Sequence, residues 1–322
     1  METIRKPLVI VLVVILLLFL LIGWYWSNEP TQPFSPKSDD TVQPIIGVAT
    51  TQSLINAVRT LLDKPGGYLS NDVTPPSIFL DNVPNWEFGV LQQVRDLAKA
   101  MRNDYSRSQT QSLAEPDLEI ADPKFSVDSE SWLLPSAEGA YQEGIDAMAK
   151  YLKRLKDPSQ QDAQFYARAD NLNEWLSLVE KRLGSLSQRL SKARPQIRVN
   201  TDLAGDKNAQ QSTATASEVV AQTSWFEIDD TFYEARGTSW ALIHFLHAAE
   251  VDFGPVLRDK NAIPTLRQVL RELEATQQDV TSPMILNGKG MGMFANHSLV
   301  MSSYIARANS AIADLRQLLD DG

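Results

Sequence analysis

Residues 165–190 read FYARADNLNEWLSLVEKRLGSLSQRL. Phe165, Ala169, Leu172, Leu176, Val179, Leu183, Leu186 and Leu190 recur in alternating steps of four and three, the spacing that lines up one face of an α-helix as a heptad seam. The pattern ends at Arg194-Pro195, where proline cannot continue a helix. About thirty residues at a 1.5 Å rise make a rod of roughly 45 Å, too long for a small globule to wrap. The seam therefore predicts an elongated helical bundle with coiled-coil packing.

Working outward, the same periodicity returns on both sides. Toward the N-terminus, Ser136 caps a helix with the stripe Tyr141, Ile145, Met148, Leu152 and Leu155. Val90, Leu91, Val94, Leu97, Met101 and Tyr105 mark another, with Asn85 as its expected N-cap and Glu87 in its first turn. Leu54, Ile55, Val58, Leu61 and Leu62 mark a third, stopped by Lys64-Pro65-Gly66-Gly67. The stretch 115–135, with Pro116, Pro123 and Pro135, reads as irregular. Toward the C-terminus, residues 199–223 are polar and aperiodic and read as a disordered linker. Three helices follow, near Asp230 to Val251, Ile263 to Thr276 and Ser298 to Asp320. The sum is an all-α body of six or seven helices, a first part over 45–198 and a second over 224–322 that are expected to pack together.

The N-terminus sets the compartment. Leu8 to Ile22 is unbroken Leu, Val, Ile and Phe, and Gly23 to Trp26 extend it to about the 20 residues a bilayer core requires. Arg5 and Lys6 precede the run, and Trp24, Tyr25 and Trp26 close it as an interfacial aromatic belt. These features predict a cytoplasmic N-terminus at 1–7, a transmembrane signal anchor at 8–26 in contact with the lipid bilayer, and a proline-rich extended tether at 27–44. Bulky residues at the exit argue against signal cleavage. The chain holds 30 Lys and Arg against 40 Asp and Glu, a net charge of −10, which argues against nucleic-acid binding. The absence of Cys excludes disulfide scaffolds, thiolate metal sites and cysteine nucleophiles.

Candidate chemistry concentrates between Tyr233 and Glu250. His244, His247 and Glu250 follow at steps of three and lie near one helix face, so a metal could bridge His244 and His247 with His297 as a third ligand. That spacing is looser than the i, i+4 pair of zinc proteases and no acid lies between, so the structural reading is histidines hydrogen-bonded within a bundle, with no metal. Glu234, His244, His247 and Glu250 are the catalytic candidates, and Tyr233, Arg236, Trp240 and Lys289 the ligand-binding candidates. Lys289 sits in the Gly-rich segment Asn287 to Phe294, which lacks the spacing of a phosphate-binding loop. No cofactor motif is present. Arg95, Arg102 and Arg107 line one polar face diluted by Asp96 and Asp104 and read as solvated.

The segments Gly66-Gly67-Tyr68-Leu69-Ser70-Asn71-Asp72, Asn85-Trp86-Glu87-Phe88-Gly89-Val90-Leu91, residues 102–109, Trp132 to Ser136 and the Trp240 to Glu250 helix together carry a resemblance. The chain resembles an uncharacterised family of single-pass inner-membrane proteins of proteobacteria, a domain of unknown function. The resemblance implies a Gram-negative inner membrane with a periplasmic body, and no activity or catalytic residues. The expectation is a membrane-anchored interaction or scaffold protein of the cell envelope, with an envelope protein partner or self-association. The rival is an envelope enzyme or ligand-binding domain acting on peptidoglycan or lipid, whose candidates from Tyr233 to Glu250 would have to meet in an open cleft.

Overall fold

The computed structural model describes residues 2–30, 45–107, 114–157, 159, 162–200, 216–282, 284–289 and 293–321. Among them the protein is all-α. The helices are α1 (Glu2–Trp26), α2 (Val48–Asp63), α3 (Asn82–Ala100), α4 (Pro116–Phe125), α5 (Ala137–Lys156), α6 (Ala169–Ser191), α7 (Ile228–Asp252), α8 (Gly254–Asp259), α9 (Ile263–Ala275) and α10 (His297–Asp320). Seven of these are the long body helices expected from periodicity. The two short additions are α4 and α8.

Helix α7 organises the body. From Ala235 to Leu246 every side chain is buried, Arg236, Thr238, Ser239 and His244 included, as in a helix surrounded by others. It crosses α3 at backbone contact, because Gly89 and Gly237 carry no Cβ there. A Cβ on Gly237 would lie 2.0 Å from the Trp86 carbonyl oxygen, and one on Gly89 would lie 2.2 Å from that of Glu234. Trp86 and Trp240 stack beside the crossing with ring centroids 5.2 Å apart.

The seam that predicts the bundle is occupied by the chain itself. Leu172, Leu176, Val179, Leu183, Leu186 and Leu190 are buried on α6, and α10 lies along them with its own buried stripe of Met301, Ile305, Ala308, Ile312, Leu315 and Leu319. The helix is shorter than the rod expected from sequence, 23 residues beginning at Ala169, so Phe165 precedes it.

Three other expectations, the irregular stretch 115–135, the solvated arginine face and the cap at Asn85, are corrected. The stretch 115–135 contains α4, because Pro116 falls in the first turn, where its missing N–H costs nothing, and Pro123 falls near the end. That helix covers the arginine face of α3: Arg95 donates to the carbonyls of Phe125 and Val127, both at 2.8 Å, and Arg102 pairs with Asp122 at 2.8 Å. Helix α3 starts at Asn82 with Asp81 as its cap, not at Asn85. The expected linker at 199–223 begins and ends in a two-stranded antiparallel ribbon, β1 (Gln196–Val199) and β2 (Glu218–Ala221), with Ile197 opposite Val220; residues 201–215 lie outside the described residues. Of the tether expected at 27–44, residues 31–44 lie outside them too, while Ser27, Asn28 and Glu29 are fixed by hydrogen bonds.

Candidate functional site at the junction of the apolar helix and the body

Helix α1 contains Val9–Trp26, a stretch long and apolar enough to cross a membrane, and almost none of it is buried in the protein. Its C-terminal end is the exception. Gly23 is buried, facing Pro76 and Leu80, and Trp26 lies over Gly66, whose φ of +86° is a left-handed conformation that favours glycine. The helix is then capped by Ser27, whose hydroxyl donates to the Gly23 carbonyl at 2.7 Å. Two residues on, Glu29 accepts from Arg236 Nε at 2.9 Å, an ion pair between groups that are both largely shielded from water.

Arg236 is held on three sides, since its Nη1 also donates to the carbonyls of Thr276 (3.2 Å) and Gln278 (2.8 Å) at the end of α9. Burial raises the Glu29 pKa, and the guanidinium acts against that rise. A second buried pair braces the loop under Trp26. Lys64 Nζ lies 2.6 Å from Glu87 Oε1, and both side chains are essentially inaccessible. Glu87 also accepts from the N–H groups of Leu69 (2.9 Å) and Ser70 (2.8 Å) and from the Ser70 hydroxyl. Burial again pushes the carboxyl upward, and the Lys64 ammonium and these donors oppose it. Buried charges persist only when paired and hydrogen-bonded in this way.

The residues nominated from sequence do not meet at one point. Glu234 is held by Arg189 through Nη1 at 2.7 Å and through Nη2. Glu250, sixteen residues on and so roughly 24 Å along α7, pairs with Arg267 at 2.8 Å. His244 is buried with its ring 4.5 Å from that of Trp240, and burial lowers its pKa to about 4, with His247 adding a smaller push. His247 is open to solvent, 4.0 Å from Glu250 and 3.9 Å from Glu274. His297 lies near Phe232 and accepts from the Leu286 N–H at 3.0 Å; Phe232 is more than three turns of α7 away from His244. Among the described residues no three His, Asp or Glu are grouped to hold a metal.

Tyr233 is partly buried with its ring against Phe232, and desolvation raises its pKa, with Glu29 nearby adding to the rise. Lys289 lines a surface cleft of about 580 Å³ together with Arg194, Gln196, Gln222 and Asn287. Among the described residues, Arg236 is the nominated residue that pairs with Glu29, three positions past the end of α1. Its partners Glu29, Thr276 and Gln278, and the pair Lys64 and Glu87, gave no signal in sequence, because each pairing spans loops whose return path periodicity does not record.

Comparison with curated proteins and with solved structures finds no match. A family described as uncharacterised protein conserved in bacteria matches residues 1–322, the segments that meet at this junction included. The chain belongs to that family, DUF2333.

Proposed function

We propose that this protein is an interaction or scaffold protein of the bacterial cell envelope, anchored in the inner membrane by α1, with its N-terminus in the cytoplasm and its body in the periplasm. The supporting observation is the fixed junction. An enzyme that only needs confinement to a membrane is served by a flexible tether, whereas a protein that presents one face to a partner needs its orientation set. Here Glu29 and Arg236, with Gly23 on Pro76 and Leu80, bind the end of α1 to the body's central helix. Arg5 and Lys6 before the apolar run favour the cytoplasmic N-terminus. Because α10 fills the α6 seam, a partner would engage another surface.

Two measurements test the reading. A reporter active only in the periplasm, fused after Gly322, is expected to be active; silence with a stable fusion would reverse the orientation. Crosslinking in cells, followed by detergent purification and mass spectrometry, is expected to recover one stoichiometric envelope protein or a second copy of this chain. Recovery of the full-length protein as an uncrosslinked monomer would count against the scaffold role.

A further inference from the structure

The large apolar side chains left exposed are not spread over the body. Outside α1, and among the described residues, all but Ile45, Ile46, Ile120 and Val300 lie on four loops, within 68–81, within 126–136, within 192–200 and 216–227, and within 276–282, 284–289 and 293–296. The most exposed apolar side chain of each, taken as its tip, is Phe79, Leu134, Phe226 and Met293 in turn, 77%, 96%, 83% and 96% exposed.

The four loops share one end of the bundle. Asn71 in the first donates to the Ser131 carbonyl in the second at 2.9 Å. Asn85, just after the first, donates to Asp230, just after the third, at 2.8 Å. Asn287 in the fourth donates to the Ala193 carbonyl in the third. This is also the end where α1 departs, because Gly23 meets Pro76 and Leu80 of the first loop. Gly23 lies three residues before Trp26, about 4.5 Å deeper along the helix at 1.5 Å per residue. The loop carrying Ile78 and Phe79 thus reaches the level of the Trp24–Trp26 belt. The ribbon repeats the theme, with Ile197, Val199 and Val220 on one bare face of only two strands.

We infer that this end of the body is a membrane-docking face, its four apolar loop tips entering the interfacial layer of the same bilayer that α1 spans. The inference rests on the reading of α1 as a transmembrane anchor. Continuity selects lipid as the occupant: the patch begins on residues that already touch the apolar helix, so nothing separates the two surfaces. Charge does not drive the contact. Asp81, Glu227, Asp229 and Asp230 lie around the start of α7, so anionic headgroups gain little there, and burial of apolar and aromatic groups supplies the attraction. The cleft holding Arg194 and Lys289 adds cations that suit lipid phosphates at the rim.

The natural lack of Cys makes the test direct. Full-length protein carrying Phe79→Cys, Leu134→Cys, Phe226→Cys or Met293→Cys is labelled with a fluorophore and placed in phosphatidylcholine nanodiscs with or without doxyl-labelled phosphatidylcholine. Leu16→Cys in α1 and Lys260→Cys, beyond α8 at the opposite end, serve as references. Labels at the four tips should sit roughly 5–10 Å into the headgroup and acyl boundary and lose about half their emission to the doxyl lipid, with Lys260→Cys unaffected. Quenching at Leu16→Cys without quenching at the tips would overturn the docking and leave the anchor intact. No quenching at Leu16→Cys would overturn the anchor and the docking together.

Discussion

The two ends of the bundle are finished differently. At the far end Tyr105, Phe165 and Phe253 close the core with ring centroids 5.1 to 5.7 Å apart. Around them Asp252 accepts from the Thr50 N–H at 2.7 Å, and Arg154 is shared by Glu115, Asp117 and Asp162. Aromatic rings are inside, and the carboxylates of Asp252 and Glu115 are buried beside them with those partners. At the α1 end paired charges, Lys64 with Glu87 and Arg236 with Glu29, are inside too, but Phe79, Leu134, Phe226 and Met293 are outside. Among the described residues, the ends differ in the large apolar side chains that the α1 end leaves outside.

The sharpest way to break the comparison is to remove a ring from each end. Phe253→Ala empties a fully buried site and is expected to cost about 3–5 kcal/mol in denaturant unfolding of the detergent-solubilised protein. Lys64→Met comes next, because it strands the Glu87 carboxylate in a dry site; about 3 kcal/mol is expected. Lys64→Met combined with Glu87→Leu should recover part of that loss. A double mutant no better than the single would show that Glu87 acts through the loop N–H groups rather than through Lys64.

Titration separates the buried middle of α7 from its exposed start. His244 has a folded pKa depressed by burial to about 4 from its ordinary value of 6.5, so between these pH values it is neutral in the folded protein and takes up a proton on unfolding. Its contribution is present above about pH 6.5 and is lost as pH falls toward 4, on the order of 3 kcal/mol in all. Asp230 is pushed up to about 6 by burial, with Asp229 adding to it. Its charged form is therefore disfavoured in the fold, and lowering pH through 6 toward its unfolded value adds stability. His244→Gln should flatten or invert the loss of stability between pH 6.5 and pH 4.5, and Asp230→Asn should steepen it. Unchanged slopes would show that neither environment survives in solution.

How much of this could be read beforehand follows from what periodicity encodes. The apolar run to Trp26, the seam of α6 and the stripe of α10 are local patterns, and each marks a real helix. Helix α4 is hidden because Pro116 and Pro123 read as breakers, although Pro116 occupies the tolerated first turn and Pro123 falls in the last turn. The ribbon was hidden because four residues per strand are too few to show alternation. The junction was beyond local reading altogether, since Glu29 and Arg236 are 207 positions apart. Gly89 and Gly237 carry the α3 and α7 crossing without any periodic signal. Of the site, Arg236 was nominated for its charge alone, and its burial against the anchor is a property of the fold.

The smallest expected effect is the most informative for the two-ended comparison. Phe79→Ser and Phe226→Ser remove large rings, yet both are already exposed to solvent. Their unfolding free energy in detergent should stay within about 0.5 kcal/mol of the parent, because little apolar contact is lost when an exposed ring is cut back. A loss of 2 kcal/mol or so, of the kind expected for buried apolar truncation, would mean that these rings pack into the body and that the two ends are alike. Near-neutral stability, set beside the large loss at Phe253, would show that the chain carries these rings for a surface outside the fold.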